Sequence, residues 1–186
     1  MTGLVAQARA AAHRLLAQPL PQRHRHVEGV AARMRTLLEL PSVAHLCGQD
    51  RDDVVAAAWL HDIGYSPALI DTGMHAIDGA RYVLTVPSLA HLAPLIEHHS
   101  NARYEAAARG LRLATPTPEP WLRSLLWVAD FTTSPNGAPT TWSDRLDDIR
   151  RRYPSGPVRA AVEECLPEFD LAHALVTGGR AVRPQE

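Results

Sequence analysis

Four polar residues interrupt the inward, apolar positions of this sequence: His26, His61, Asp62 and Asp130. His61 and Asp62 follow directly on Val54-Val55-Ala56-Ala57-Ala58-Trp59-Leu60, and Asp130 follows directly on Leu125-Leu126-Trp127-Val128-Ala129. An unpartnered carboxylate carried into an apolar interior is costly, so each of these must be compensated. For one isolated His-Asp dipeptide a capping contact would suffice; the same anomaly at Asp130 asks for a shared cause. His26 lies on the apolar stripe of its own segment, one turn before Val30 and two before Met34. Imidazole nitrogens and carboxylate oxygens converging from three helices suit a borderline or hard divalent cation such as Mn, Fe, Co, Ni or Zn.

Helices must carry these residues, because nearly every long segment has apolar residues three and four apart and strand-like alternation is almost absent. Residues 4–18 form a first helical pattern, with Val5, Ala8, Ala12, Leu15 and Leu16 on one stripe and Pro19 and Pro21 ending it. A second pattern, 22–40, carries His26, Val30, Met34, Leu37 and Leu38 before Pro41. The third is the best marked. Asp50 can cap it, Asp53 stands where a capping-box acid would, its all-round apolar run predicts a buried central helix, and Gly64 suits its left-handed end. Further helices are expected over 74–85, 88–99 with Ser88 as cap, 118–133, 143–153, and 158–176 with a break at Pro167. Residues 66–73, 115–120 and 134–139 are loops by their Pro, Gly and Asn content. The expected architecture is a single all-α domain over 1–177, a helical bundle, followed by a flexible tail at 178–186. The apolar stripes of the first and last helices suit either its core or an oligomer face.

Composition narrows the function classes. The 186 residues are 46% hydrophobic and 21% charged, ordinary for a globular protein. A net charge of -1 provides no global positive field, which argues against nucleic acid as the main partner and against an anionic membrane surface. All 19 basic residues are Arg, which excludes mechanisms needing a Schiff-base or P-loop lysine. Cys47 and Cys165 are too few for a disulfide framework or a thiolate zinc site, and they fit reduced thiols in a cytoplasmic protein. Neither a run of about 18 apolar residues nor a signal-like N-terminal stretch is present. Ten histidines are a large stock of metal ligands and acid–base groups.

The ordered set resembles the HD-domain superfamily of metal-dependent phosphohydrolases, which are all-helical. Arg23-His24-Arg25-His26-Val27-Glu28-Gly29-Val30-Ala31 is similar to that family's Arg-x-x-His-x-x-x-Val-Ala start, Ala58-Trp59-Leu60-His61-Asp62-Ile63-Gly64 to its His-Asp signature, and Val128-Ala129-Asp130 to its closing Ala-Asp. The resemblance spans residues 22–133. It implies that His26, His61, Asp62 and Asp130 bind metal, with His61 and Asp62 at the catalytic centre. His75-Ala76-Ile77-Asp78-Gly79-Ala80-Arg81 resembles the His-x-x-x-Gly-Ala segment of relatives with a second metal site, and His98-His99 stands where such relatives place another histidine. The implied centre is dinuclear, with Asp62 bridging two divalent ions, Fe or Mn before Co, Ni, Zn or Mg. Adjacent helical residues diverge by about 100°, so at least one of His98 and His99 is expected to bind metal, with His99 preferred, while the other points elsewhere or touches substrate. Many relatives carry a basic residue shortly after His-Asp, whereas here Gly64-Tyr65-Ser66-Pro67 follows. That contact is either missing or replaced by Tyr65 or an arginine.

The reaction expected is hydrolysis of a small phosphate ester, plausibly a nucleotide, by metal hydroxide attacking phosphorus. Arg23, one turn before His26, and Arg103, just after His98-His99-Ser100-Asn101, are the candidate phosphate ligands. Glu97 and Asp78 are conceivable proton carriers, and Trp127 and Trp142 could stack on a base, although Trp127 reads first as core. Residues 66–73 and 134–141 are expected to rim the pocket and select the substrate. His13, His24, His45, His91 and His173 have no such support, although His24 could line the mouth. Two other classes compete: a di-iron oxygenase of the same fold, and a non-catalytic module that binds a nucleotide or metal.

Overall fold

In the computed structural model, which describes residues 3–178, the chain is all-α. Its helices in order are α1 (Gly3–Leu16), α2 (Pro21–Leu37), α3 (Gly48–Leu60), α4 (His75–Leu84), α5 (Ala93–Glu97), α6 (Ala102–Ala108), α7 (Pro120–Phe131), α8 (Trp142–Arg152) and α9 (Pro157–Thr177). Single 3-10 turns occur at Pro41–Val43, Ile63–Tyr65 and Ala90–Leu92. Among the described residues the one β feature is an isolated bridge between Thr133 and Pro139.

The all-round apolar helix is indeed central: every residue from Val54 to Leu60 is buried, with α1, α2 and α7 packed around α3. The stripe of α1 is spent on that packing, since Val5, Ala8, Ala12, Leu15 and Leu16 are all buried. Pro21 opens α2 at a position where its missing N–H costs nothing. The helix α3 begins earlier than its sequence suggests. Cys47 is the cap, and Asp50 acts as the capping-box acid, accepting from the Cys47 backbone N–H at 3.2 Å.

Three other boundaries differ from expectation. Residues 88–99 are not one helix; a 3-10 turn leads into the short α5, which ends at His98. α6, Ala-rich and without a marked apolar stripe, was not legible in the sequence pattern. Pro167 does not break α9, because Cys165, Phe169 and Ala172, buried on both sides of it, hold the helix to the core. Gly178 terminates α9 in the left-handed conformation at φ 70°, and the remainder of the tail expected at 178–186, residues 179–186, lies outside the described residues. No helix among the described residues is long and apolar enough to cross a membrane.

Aromatic packing joins the C-terminal helices to the rest. Trp142 stacks on Phe131 with ring centroids 5.0 Å apart and lies 4.1 Å from Phe169, while Trp127 is fully buried beside both phenylalanines. Neither tryptophan lines the pocket that holds Asp62. Cys165 lies in the same region, and burial pushes its thiol up to about 12. Iodoacetamide is therefore expected to alkylate exposed Cys47 in the native protein and to reach Cys165 only after denaturation, as read by peptide mass spectrometry. Equal native labelling would contradict the packing of α9.

Candidate metal centre

Each histidine of the centre is aimed by a local device. On α2, Gly29 has no Cβ, and one added there would lie 2.2 Å from the Gly137 carbonyl oxygen. This close approach, with Gly137 at φ 85°, brings the 134–139 turn onto α2, where the Ser134 carbonyl accepts from His26 Nδ1 at 3.0 Å. His61, at the end of α3, donates Nδ1–H to the Ala58 carbonyl at 2.9 Å, and His99 donates to the Ile96 carbonyl at 2.6 Å. In all three rings Nδ1 faces a backbone carbonyl, the arrangement in which a neutral ring keeps its proton on Nδ1 and turns the Nε2 lone pair into the site. His75 begins α4 and stacks on Tyr65, the ring centroids 4.1 Å apart.

Asp62 stands in the middle. Its Oδ2 is 3.4 Å from His61 Nε2 and 3.6 Å from His26 Nε2; its Oδ1 is 3.4 Å from His75 Nε2 and 3.9 Å from His99 Nε2. Asp130 adds an oxygen to the first group, with Oδ1 3.1 Å from His26 Nε2 and 3.9 Å from His61 Nε2. Ser100 donates its hydroxyl to the other oxygen, Oδ2. Ser100 itself sits at φ 52°, a left-handed conformation uncommon outside glycine, and this turn directly follows His99. The result is two donor groups, His26–His61–Asp62 and Asp62–His75–His99, each with its ligand atoms within 4.8 Å of one another. Donors about 3–3.5 Å apart are what metal bonds of about 2.1 Å at tetrahedral angles require.

These residues fit divalent metal. His61 Nε2 is buried with no hydrogen-bond partner, and the Nε2 atoms of His75 and His99 face each other at 3.2 Å. Facing imidazole nitrogens need a proton or a cation between them. Burial, then the neighbouring His99 and Arg23 charges, lower His75 to about 3 against the pull of Asp62, so the ring is neutral and open as a ligand. Burial likewise lowers His99. Burial opposes the charged form of Asp62, yet the Arg23 guanidinium and His61 hold its carboxyl well below the usual carboxylate range. Asp130 is also depressed, burial being outweighed by the His26 hydrogen bond and His61.

All the ligands expected from the sequence converge except His98. Its Nε2 bonds instead to the Thr115 carbonyl at 3.0 Å and it belongs to neither group of converging donors, so it is withdrawn as a ligand. Arg103 is also misplaced for phosphate: it is half exposed, pairs with Glu168 at 2.8 Å and does not line the pocket. Arg23 does line it, bonding Asp62 Oδ2 at 2.6 Å with its guanidinium 4.2 Å from the Tyr65 ring centroid. Asp78 and Glu97 are not proton carriers facing solvent. Asp78 accepts from the Asp71, Thr72 and Gly73 amides and Glu97 from those of Ala114 and Thr115, so both tie loops down.

The pocket over Asp62 measures about 670 Å³ counted to its open mouth. Pro135 rims it as expected, but no residue of 66–73 does; Asn101 and Glu105 near α6, Arg145 and Arg152 on α8, and Val158 and Val162 on α9 line it instead. These were missed because nothing in the spacing of an Arg-rich amphipathic helix says which basic residue turns inward. Outside the centre, His13 and His24 meet edge to face, His45 bonds the Ser42 carbonyl, His91 pairs with Asp53, and His173 packs by Phe169.

The HD domain family model matches residues 23–127, more than half of the chain. No curated protein and no solved structure matches.

Proposed function

The chain belongs to the HD-domain family, and from that premise we propose that it hydrolyses a small phosphate ester, a nucleotide being one candidate, at a dinuclear metal centre. The observation that carries this reading is Asp62, whose two oxygens face two separate histidine groups. His26, His61, Asp62 and Asp130 would hold one ion, and Asp62, His75 and His99 the other, with Fe or Mn suited to this nitrogen and oxygen set. When bound, such a pair lowers the pKa of a water and neutralises a phosphoryl group. The chain's own residues do the rest. Arg23, beside Asp62 at the pocket wall, binds phosphoryl oxygens, and Tyr65, between the Arg23 guanidinium and the His75 ring, fixes the orientation of both. Ser100 keeps Asp130 turned so that Oδ1 faces His26. The concave pocket and the net charge of -1 support a small molecule over nucleic acid or a membrane surface.

Phosphate release from a panel of phosphomonoesters and nucleotides, assayed with Mn, Fe, Co or Mg, tests this. Release with at least one metal is expected. None across the panel, or oxygen uptake in its place, would overturn it.

A further inference from the structure

Arg145 is buried at 8% relative exposure, yet its Nε has no hydrogen-bond partner, and its Nη1 reaches only Asp148, at 3.2 Å. That same carboxylate also serves Arg152 at 2.7 Å and Arg151 at 3.7 Å. Elsewhere the arginines are better matched: Arg103 and Arg123 share Glu168 as a pair, and Arg109 has Glu105. Asp148 is thus one carboxylate among three guanidiniums, while the fourth arginine of α8, Arg150, is met by Asp147 and Glu163; two of the three on Asp148, Arg145 and Arg152, line the pocket that holds Asp62 and His75. Arg152 also lines an adjoining pocket with Arg23 and Arg25, and no carboxylate lines that second pocket. Asn101, on the wall of the pocket that holds Asp62, has a buried Nδ2 without a partner. Buried donors left unpaired in a cleft are the complement of an acceptor-rich ligand group.

We propose that Arg145 and Arg152 form a second anion subsite beside the metal centre, so that the substrate carries two phosphates: one at the centre, and a second on α8. The proposal rests on the phosphohydrolase reading for the first phosphate only. A guanidinium fork matches phosphate oxygens in pairs, and a subsite on α8, separate from Arg23 on α2, selects substrates by the separation of their two charges.

Alkane-α,ω-bisphosphonates of increasing chain length, set against alkyl monophosphonates of the same length, test this by calorimetry on Mn-loaded protein. They are not hydrolysed, so binding is read apart from turnover. At one chain length the bisphosphonate is expected to bind at least tenfold tighter, and that ratio should fall to within about twofold of unity in Arg145→Gln and Arg152→Gln but persist in Arg103→Gln. Arg145→Lys and Arg152→Gln keep the test open should Arg145→Gln fail to fold. Equal affinities at every length, or a ratio unchanged in both α8 variants, would overturn the subsite. A bisphosphonate preference without phosphate release from any ester would instead leave the subsite standing and remove the phosphohydrolase reading.

Discussion

Asp62→Ala is expected to bring metal content from about two ions per chain to below one and to reduce phosphate release by on the order of 10³-fold or more, since a metal contributes several kcal/mol at the transferring group and each 1.36 kcal/mol is tenfold. The large effect follows from position. Asp62 is the one residue common to both donor groups, whereas His75 belongs only to the second. His75→Ala should therefore remove one ion and leave the His26–His61–Asp130 side able to bind. Fold should survive, because Arg23, the partner left behind by Asp62→Ala, has a side chain 26% exposed and can turn to solvent. Elemental analysis beside circular dichroism checks both variants. A folded Asp62→Ala protein that keeps two ions would refute the bridging role.

Among the described glycines, Gly64→Ala should be the most disruptive added methyl. A Cβ there would lie 1.9 Å from the His75 carbonyl oxygen and 2.6 Å from the Gly79 amide nitrogen. Both neighbours are backbone, so no side chain can swing aside; α4 or the Ile63–Tyr65 turn must move. Overpacking that displaces backbone costs about 3–5 kcal/mol, at the upper end of single substitutions. For a chain of this size that corresponds to a fall in Tm of roughly 10 °C or more. The same displacement pulls His75 from Asp62, so the second ion should be lost with it. Gly79→Ala is the internal comparison: its Cβ would meet nothing closer than 3.2 Å, and the change also favours the helix, so a shift within about 1 kcal/mol is expected. Thermal melts and metal analysis of the pair decide the matter; similar melting temperatures would show that α4 does not dock against Gly64.

Much of the centre was legible because burying charge is expensive. His61, Asp62 and Asp130 stand at the ends of runs that can only be core, and a sequence shows such a contradiction without coordinates. The same logic exposed α3, whose apolar faces all round require neighbours on every side. Loops and short helices carry no comparable signal. The bend at Ser100 and the helix α6 depend on contacts with residues far along the chain, such as the Ser100 hydroxyl on Asp130.

By itself, then, the sequence determined the fold class, the central helix and the family, through period and through the types of residue forced inside. Tertiary structure alone decided which of His98 and His99 faces Asp62, because the turn at Ser100 sets the register of two adjacent rings. It also decided that Arg103 is spent on Glu168 while Arg145 and Arg152 reach the pocket. Local spacing says which helix an arginine rides on, but the docking of α8 and α9 through Trp142, Phe131 and Phe169 determines which arginines face the pocket.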